Sequence, residues 1–161
     1  MEITVFDNKY TQEIIDLVLS CQNDGTRPTV GVKSQPDLLN IQVEYIEKGG
    51  NFWIALEDDK VIGTIAFYPY SNKIGVLKKF FVNKKFRGYP NYLGQKLYAV
   101  LLEYVKTNNY NTIILDTPNN TKRAHKFYQK AGFKQISYEE MPIKYSCPYD
   151  IGMCDFFMLE L

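Results

Sequence analysis

Arg87 to Leu97 reads RGYPNYLGQKL, a glycine-punctuated turn between an apolar run, Leu77 to Val82, and a long stretch of helical periodicity. A strand-to-helix turn with a basic residue at its start and small residues within it lets backbone N–H groups approach a phosphate. The N-terminus of the helix that follows favours negative charge. The segment therefore reads as an anion cradle, with a nucleotide-type cofactor as its guest. In the helix, Leu93, Leu97, Val100, Leu101, Tyr104 and Val105 recur at intervals of three and four, one continuous buried stripe, with Asn91 as the expected cap.

Working outward, Thr112 to Thr117 reads as a short buried strand ending at Pro118. The path from strand Ile74–Val82 through the helix to this strand is a crossover, so the two strands should lie parallel. Helix Lys122–Ala131 stops at Gly132, and strands near Phe133–Tyr138 and Asp155–Leu161 close the chain. Upstream, Glu2–Phe6 reads as a strand, and Ile14, Ile15, Leu17 and Val18 as the apolar face of a helix. Asp24–Ser34 lacks periodicity and reads as a loop. A second helix is expected from Pro36-Asp37, burying Leu38, Ile41, Tyr45 and Ile46 before Gly49-Gly50. Phe52–Leu56, Val61–Tyr68 and Ile74–Val82, separated by turn residues, predict an antiparallel meander.

Ala124 to Phe133 reads AHKFYQKAGF. This stretch and the Arg87–Leu97 turn together resemble the two main motifs of the GNAT superfamily, the acyl-CoA-dependent N-acetyltransferases. Two extra residues before Gly94 suggest a subgroup with a longer pyrophosphate loop. The resemblance implies an α+β fold of three layers. A central mixed, mostly antiparallel sheet of about seven strands carries helices on both faces and contains a splayed parallel pair.

It also implies roles. Acetyl-CoA would enter the wedge between the parallel strands, with no metal involved. Its pantetheine would run along the strand ending Phe80-Phe81-Val82, and a backbone N–H near Phe81 or Val82 would polarise the thioester carbonyl. Arg87, Gly88, Tyr92, Leu93, Gly94 and Gln95 would surround the pyrophosphate. Tyr92 fits a glycine position if its side chain points outward and its φ is negative. Asn120 would bond the pantetheine arm or cap the following helix. Tyr128 would assist the departing sulfur, its alternative being a core aromatic. No base announces itself, so water-relayed deprotonation toward Asp116 is the expectation. Arg27 would pair a substrate carboxylate, and Trp53, Tyr138, Tyr145 and Tyr149 would form an aromatic wall.

Composition narrows the remaining classes. The 161 residues suit one domain, spanning residues 1–161, and no apolar run approaches a membrane span. A net charge of +1 gives little support to nucleic-acid or membrane binding. Lys78, Lys79, Lys84, Lys85 and Arg87 crowd near the phosphate turn, as a solvated surface or a phosphate field. Cys21, Cys147 and Cys154 read as reduced thiols, and His125 as a helix-surface residue or a base. The polar N-terminus makes a cytoplasmic location the default. The expected activity is acetyl transfer from acetyl-CoA to the primary amine of a small polar molecule, a free amino acid being one candidate, in a ternary complex. Alternatives are an acetyltransferase of protein N-termini or lysines, and a non-catalytic acyl-CoA sensor. Relatives of this type are commonly monomers or homodimers.

Overall fold

Alternating apolar runs carry the meander: β2 (Asn51–Glu57), β3 (Lys60–Pro69) and β4 (Ile74–Val82) pair antiparallel, and β1 (Glu2–Val5) adds to the outer edge of β2. Asp58 and Asp59, both at positive φ, make the tight connection from β2 to β3. The computed structural model describes residues 1–161. Beyond β4 the chain crosses over through α2 (Leu93–Thr107) to β5 (Thr112–Pro118), which lies parallel to β4. After α3 (Lys122–Lys130), β6 (Lys134–Ile136) and β7 (Cys154–Glu160) complete a seven-stranded sheet of order β1-β2-β3-β4-β5-β7-β6. This is the expected α+β arrangement, with one parallel pair in an otherwise antiparallel sheet.

Helices cover both faces. α2 and α3 bury Leu93, Leu97, Leu101, Val105 and Tyr128 against Ile65, Leu77, Ile113, Leu115 and Phe157 on one side. On the other, α1 (Thr11–Gln22) packs Ile14, Ile15, Leu17 and Val18 against Phe52, Ile54 and Ala66. A third, smaller cluster joins Val76 and Ile114 to Met141, Ile143, Cys154 and Phe156, so the 137–150 segment covers the β5–β7 end of that second face. No helix is long and apolar enough to cross a membrane.

The segment after Pro36 departs from the expected helix. It forms two short turns, a 3₁₀ turn at Pro36–Leu39 and a π turn at Gln42–Ile46, with Asn40 between them at φ −149°. A residue with φ and ψ outside the helical region cannot continue a helix. Leu38, Ile41 and Tyr45 are nonetheless buried, as the periodicity predicts, while Ile46 is only half-buried. The break aims Gln35, Asp37 and Tyr45 together at β4.

Candidate active site

The parallel pair β4–β5 is joined over only three positions, Ile74↔Thr112, Gly75↔Ile113 and Val76↔Ile114. β5 stays paired with β7 to its end, at Pro118↔Cys154, so it diverges from β4 and a wedge opens. β4 carries an extra residue here. Thr64 opposes Phe81 and Ala66 opposes Lys78, which leaves Lys79 and Phe80 together opposite Ile65. Lys79 takes φ +52°, and its carbonyl accepts a 2.7 Å bond from the Thr64 hydroxyl.

Because side chains alternate along a strand, the bulge sends Lys78 and Lys79 to the same face and Phe80 to the other. Lys78 and Lys79 line a cavity on the α1 side, whereas Phe80 packs toward α3, with ring centroids 5.3 Å from Phe127 and 6.4 Å from Tyr128. The Asn83 N–H donates to Ile62 on β3 at 2.8 Å, so alternation turns the Phe80 and Val82 amides toward the wedge and that of Phe81 toward β3. Val82 thus lies where the sequence places it. Phe81 does not: its amide belongs to the β3 side and its ring packs beside α1.

At the turn, Gly88 takes φ +64°, which only glycine adopts freely. Tyr92 also has a positive φ, +48°, and its N–H donates to the Gly88 carbonyl at 2.7 Å. The expectation of an ordinary backbone with a free amide at Tyr92 therefore fails, although its side chain does point outward, beside Tyr89. Tyr92 rather than Asn91 occupies the cap position, and no side chain caps α2. The first-turn amides of Leu93, Gly94 and Gln95 precede the first intrahelical bond, from the Lys96 N–H to the Tyr92 carbonyl. They form an open, partially positive helix end.

Arg87 is anchored to the end of β4 and to α1, donating from Nε to the Val82 carbonyl at 2.7 Å and from Nη2 to Cys21 Sγ at 3.9 Å. Arg123, in the first turn of α3, lies close enough for the two guanidiniums to interact: burial, and then the charge of Arg87, lower its pKa. Free amides at a helix start fit a diphosphate-bearing cofactor. Lys78 and Lys79 do not share in that field, since the bulge points them to the opposite face. Asn120 neither caps α3 nor lies idle. Its Nδ2 donates to the Thr26 carbonyl at 2.8 Å, pinning the 24–30 loop beside the wedge.

Tyr128 stands on the Phe80 side, its ring 5.6 Å from Phe133 and 5.8 Å from both Phe127 and Phe157. No hydrogen bond to the protein contributes to the state of its hydroxyl. Burial raises its pKa, with the charges of Asp116 and Tyr98 adding to the shift, so the phenol is the form present at neutral pH.

The cavity on the opposite face has a volume of about 340 Å³. Lys78, Lys79, Asp37, Glu44 and Asp116 supply its charges, and Tyr45, Tyr68, Tyr70 and Tyr145 its rings. Lys79 is held at two points, donating to Gln35 Oε1 at 2.7 Å and lying 3.5 Å from Asp37. Gln35 in turn exchanges bonds with Gln22, and Tyr45 donates to Asp37 at 2.5 Å. Burial lowers the Lys79 pKa against the raising effect of Asp37. The Tyr145 hydroxyl is buried without a partner; burial and then the Asp116 charge push its pKa far above the phenol range.

Of the residues the sequence offered for an acceptor, the structure brings only Asp116 and Tyr145 to this cavity. Arg27 is committed elsewhere, donating to the Cys21 and Gln22 carbonyls at 3.1 Å each and so closing the C-terminal end of α1. Trp53 is buried in the α2 core, edge-on to Tyr104 at 5.3 Å. Tyr138 packs on Phe156 outside the cavity lining, and Tyr149 lies in the same third cluster. His125 faces β7, with Nε2 3.5 Å from Asp155 and the ring against Phe157, away from the wedge. Cys147 and Cys154 share the third cluster as free thiols. No group of His, Cys, Asp and Glu is placed to hold a metal. Sequence reasoning missed Lys78 as a cavity residue and Arg123 as a partner of Arg87. The Lys122-Arg123 pair just after Asn120-Thr121 was a usable signal for the second.

A splayed parallel pair with an uncapped helix end at one side and a buried phenol beneath defines an acyl-CoA-dependent acyltransferase. Residues 14–133 match the acetyltransferase (GNAT) family, and the chain belongs to that family. An acetyltransferase from Streptococcus agalactiae superposes with a TM-score of 0.94 at 36% identity, covering 99% of this chain and 98% of that one. A GNAT-family acetyltransferase from Staphylococcus aureus gives 0.89 at 28% identity, with 99% and 98% covered. Among curated relatives, the N-acetylaspartate synthetase of Xenopus tropicalis is 31% identical over 65% of this chain and 38% of its own. The chain spans about half, or less, of the length of the curated relatives it matches.

Proposed function

We propose that this acetyltransferase moves the acetyl group of acetyl-CoA directly to the primary amine of a small polar molecule, held with the cofactor in one ternary complex. One observation supports this above others. The wedge separates a cradle suited to CoA, with Tyr128 beside it, from a modest, partly open cavity on the opposite face. Two reactants can thus approach the same gap from opposite sides. A cavity of about 340 Å³ is at the small end of ligand sites, which favours a small molecule over a peptide chain.

Acetyl-CoA, when bound, supplies an acetyl group activated as a thioester. The amides of Leu93, Gly94 and Gln95, with Arg87 and Arg123, would hold its diphosphate. The unpaired backbone edge at Phe80 and Val82 would take the pantetheine as an added strand. A wedge-facing amide of that edge would polarise the thioester carbonyl, an effect of about 3 kcal/mol when such donors are removed elsewhere. Tyr128 would donate a hydrogen bond to the departing sulfur. Its raised pKa makes it a weaker acid than a thiol of pKa about 8.5, so its contribution is stabilisation of developing charge. The proton that finally neutralises the sulfur comes from the attacking nitrogen, with Asp116 and water as its route across the gap.

The test is thiol release from acetyl-CoA over a panel of small amines, beside the same panel offered as peptide N-termini and lysine peptides. Turnover confined to peptides would favour the protein-acetylating alternative. Binding of acetyl-CoA with no turnover on any amine would leave a sensor.

A further inference from the structure

Two opposite charges in the cavity have no ion-pair partner of their own. Glu44 is held by Lys48 at 2.8 Å, and Asp37 by the Tyr45 hydroxyl and Lys79. Lys79 is consumed by Gln35 and Asp37. That leaves Lys78 and Asp116. Lys78 forms no ion pair. Its ammonium sits only against rings, 5.6 Å from the centroid of Tyr68 and 5.9 Å from that of Tyr145.

Their placement follows from the register. Val76↔Ile114 is the last joined pair of β4 and β5, and both side chains enter the third cluster. Two residues further along each strand, still on that face, come Lys78 and Asp116. They are the first facing pair beyond the point where the strands part. Neighbouring strands lie about 4.8 Å apart where they are joined. Here the splay holds the two charges outside ion-pair distance, and both border the same cavity.

We propose that this pair reads an amino-carboxylate acceptor: Lys78 takes the carboxylate, and the amine lies toward Asp116 at the mouth of the wedge. The assignment rests on the acetyltransferase reading and names its substrate class. Four observations support it. Lys78 and Lys79 are the only cations lining the cavity, and Lys79 is already engaged by Gln35 and Asp37. Arg27, the other expected carboxylate partner, is bound to the end of α1. The buried Tyr145 hydroxyl, unpaired beside Asp116, offers a third polar contact to the same small guest. A half-buried ammonium flanked by rings is partly desolvated, which strengthens its attraction for an anion and gives it little reason to accept a neutral group. The carboxylate also fixes the acceptor's orientation, so that the amine faces the gap instead of the cavity wall.

The experiment compares L-amino acids, L-aspartate included, with their α-carboxamides as acceptors, for wild type, Lys78→Met and Lys78→Arg. Acetyl-CoA affinity is measured by calorimetry, and folding by thermal melting. Wild type should prefer the acids. In Lys78→Met the acid-to-amide ratio of kcat/KM should fall about tenfold or more, through the KM of the acid. Lys78→Arg should keep most of the preference, and all three should bind acetyl-CoA alike. A ratio unmoved by Lys78→Met, a wild type that favours the amides, or turnover of none of these acceptors by a protein that binds acetyl-CoA would each overturn the assignment while leaving the transferase reading intact. A folded wild type that does not bind acetyl-CoA would remove that reading and the assignment with it.

Discussion

Replacing Tyr128 with phenylalanine removes one oxygen and keeps the ring that packs against Phe127, Phe133 and Phe157. No protein hydrogen bond to the hydroxyl is lost, so no buried group is orphaned, and stability should change by less than about 1 kcal/mol. What is lost is one hydrogen bond to charge developing on sulfur. Bonds to charged groups are worth about 1.5–3 kcal/mol, which converts to a fall in kcat of about tenfold to 150-fold. The lower part of the usual range for acid assistance is expected because burial makes this phenol a reluctant acid. The assay is thiol release at saturating acetyl-CoA and amine, with a single-turnover measurement to isolate the chemical step. The raised pKa keeps the donor protonated well past neutrality, so the loss should be equal at every pH from about 6 to about 9. A kcat within twofold of wild type, or a loss that appears only in KM, would refute the role.

Arg87→Gln combined with Arg123→Gln should weaken acetyl-CoA binding about tenfold or more, with a difference that shrinks as salt is added. An unchanged Kd by calorimetry would detach these residues from the diphosphate. Lys79, whose pKa is lowered by burial, is more readily protonated in the unfolded chain, so its contribution to stability rises with pH between the lowered value and 10.5; below that window its desolvation cost is present in full. Urea unfolding should show wild type gaining on Lys79→Met as pH rises through that window, and a difference independent of pH would mean that Lys79 titrates normally. A Cβ added at Gly75 would lie 2.0 Å from Phe67 Cζ, so Gly75→Ala should destabilise by about 1–3 kcal/mol in the same experiment. An unchanged urea midpoint would mean that the Phe67 ring moves aside freely.

The architecture was legible because it rests on periodicity. The stripe in α2, the stop at Gly132, and the crossover that makes β4 and β5 parallel are all properties of spacing. The strand, turn and helix around the glycine turn were legible in the same way. The acceptor side was not, and the reason is local. A β-bulge needs no glycine or proline, and here it falls on a lysine within an uninterrupted strand pattern. From sequence, Lys78 and Lys79 belonged with Lys84, Lys85 and Arg87 as one basic patch. Arg27 misled for a related reason: a loop arginine looks available until the carbonyls at the end of a helix are seen to claim it.

The bulge also explains why a buried lysine is present at all. Without the extra residue, alternation would turn Lys79 into the apolar layer of Leu77, Leu97 and Tyr128 and bring Phe80 into the acceptor cavity. An ammonium stripped of its partners in such a layer would cost about 3–5 kcal/mol. With the residue inserted, Lys79 meets Gln35 and Asp37 instead, and these belong to the broken helical segment that forms the far wall of the cavity. The Thr64 hydroxyl on the Lys79 carbonyl holds the same residue from the β3 side. One inserted residue therefore turns Phe80 to the α3 face, leaves Lys78 on the cavity face, and ties down the wall opposite it. On the assignment proposed above, specificity and catalysis would be coupled through the backbone of a single strand.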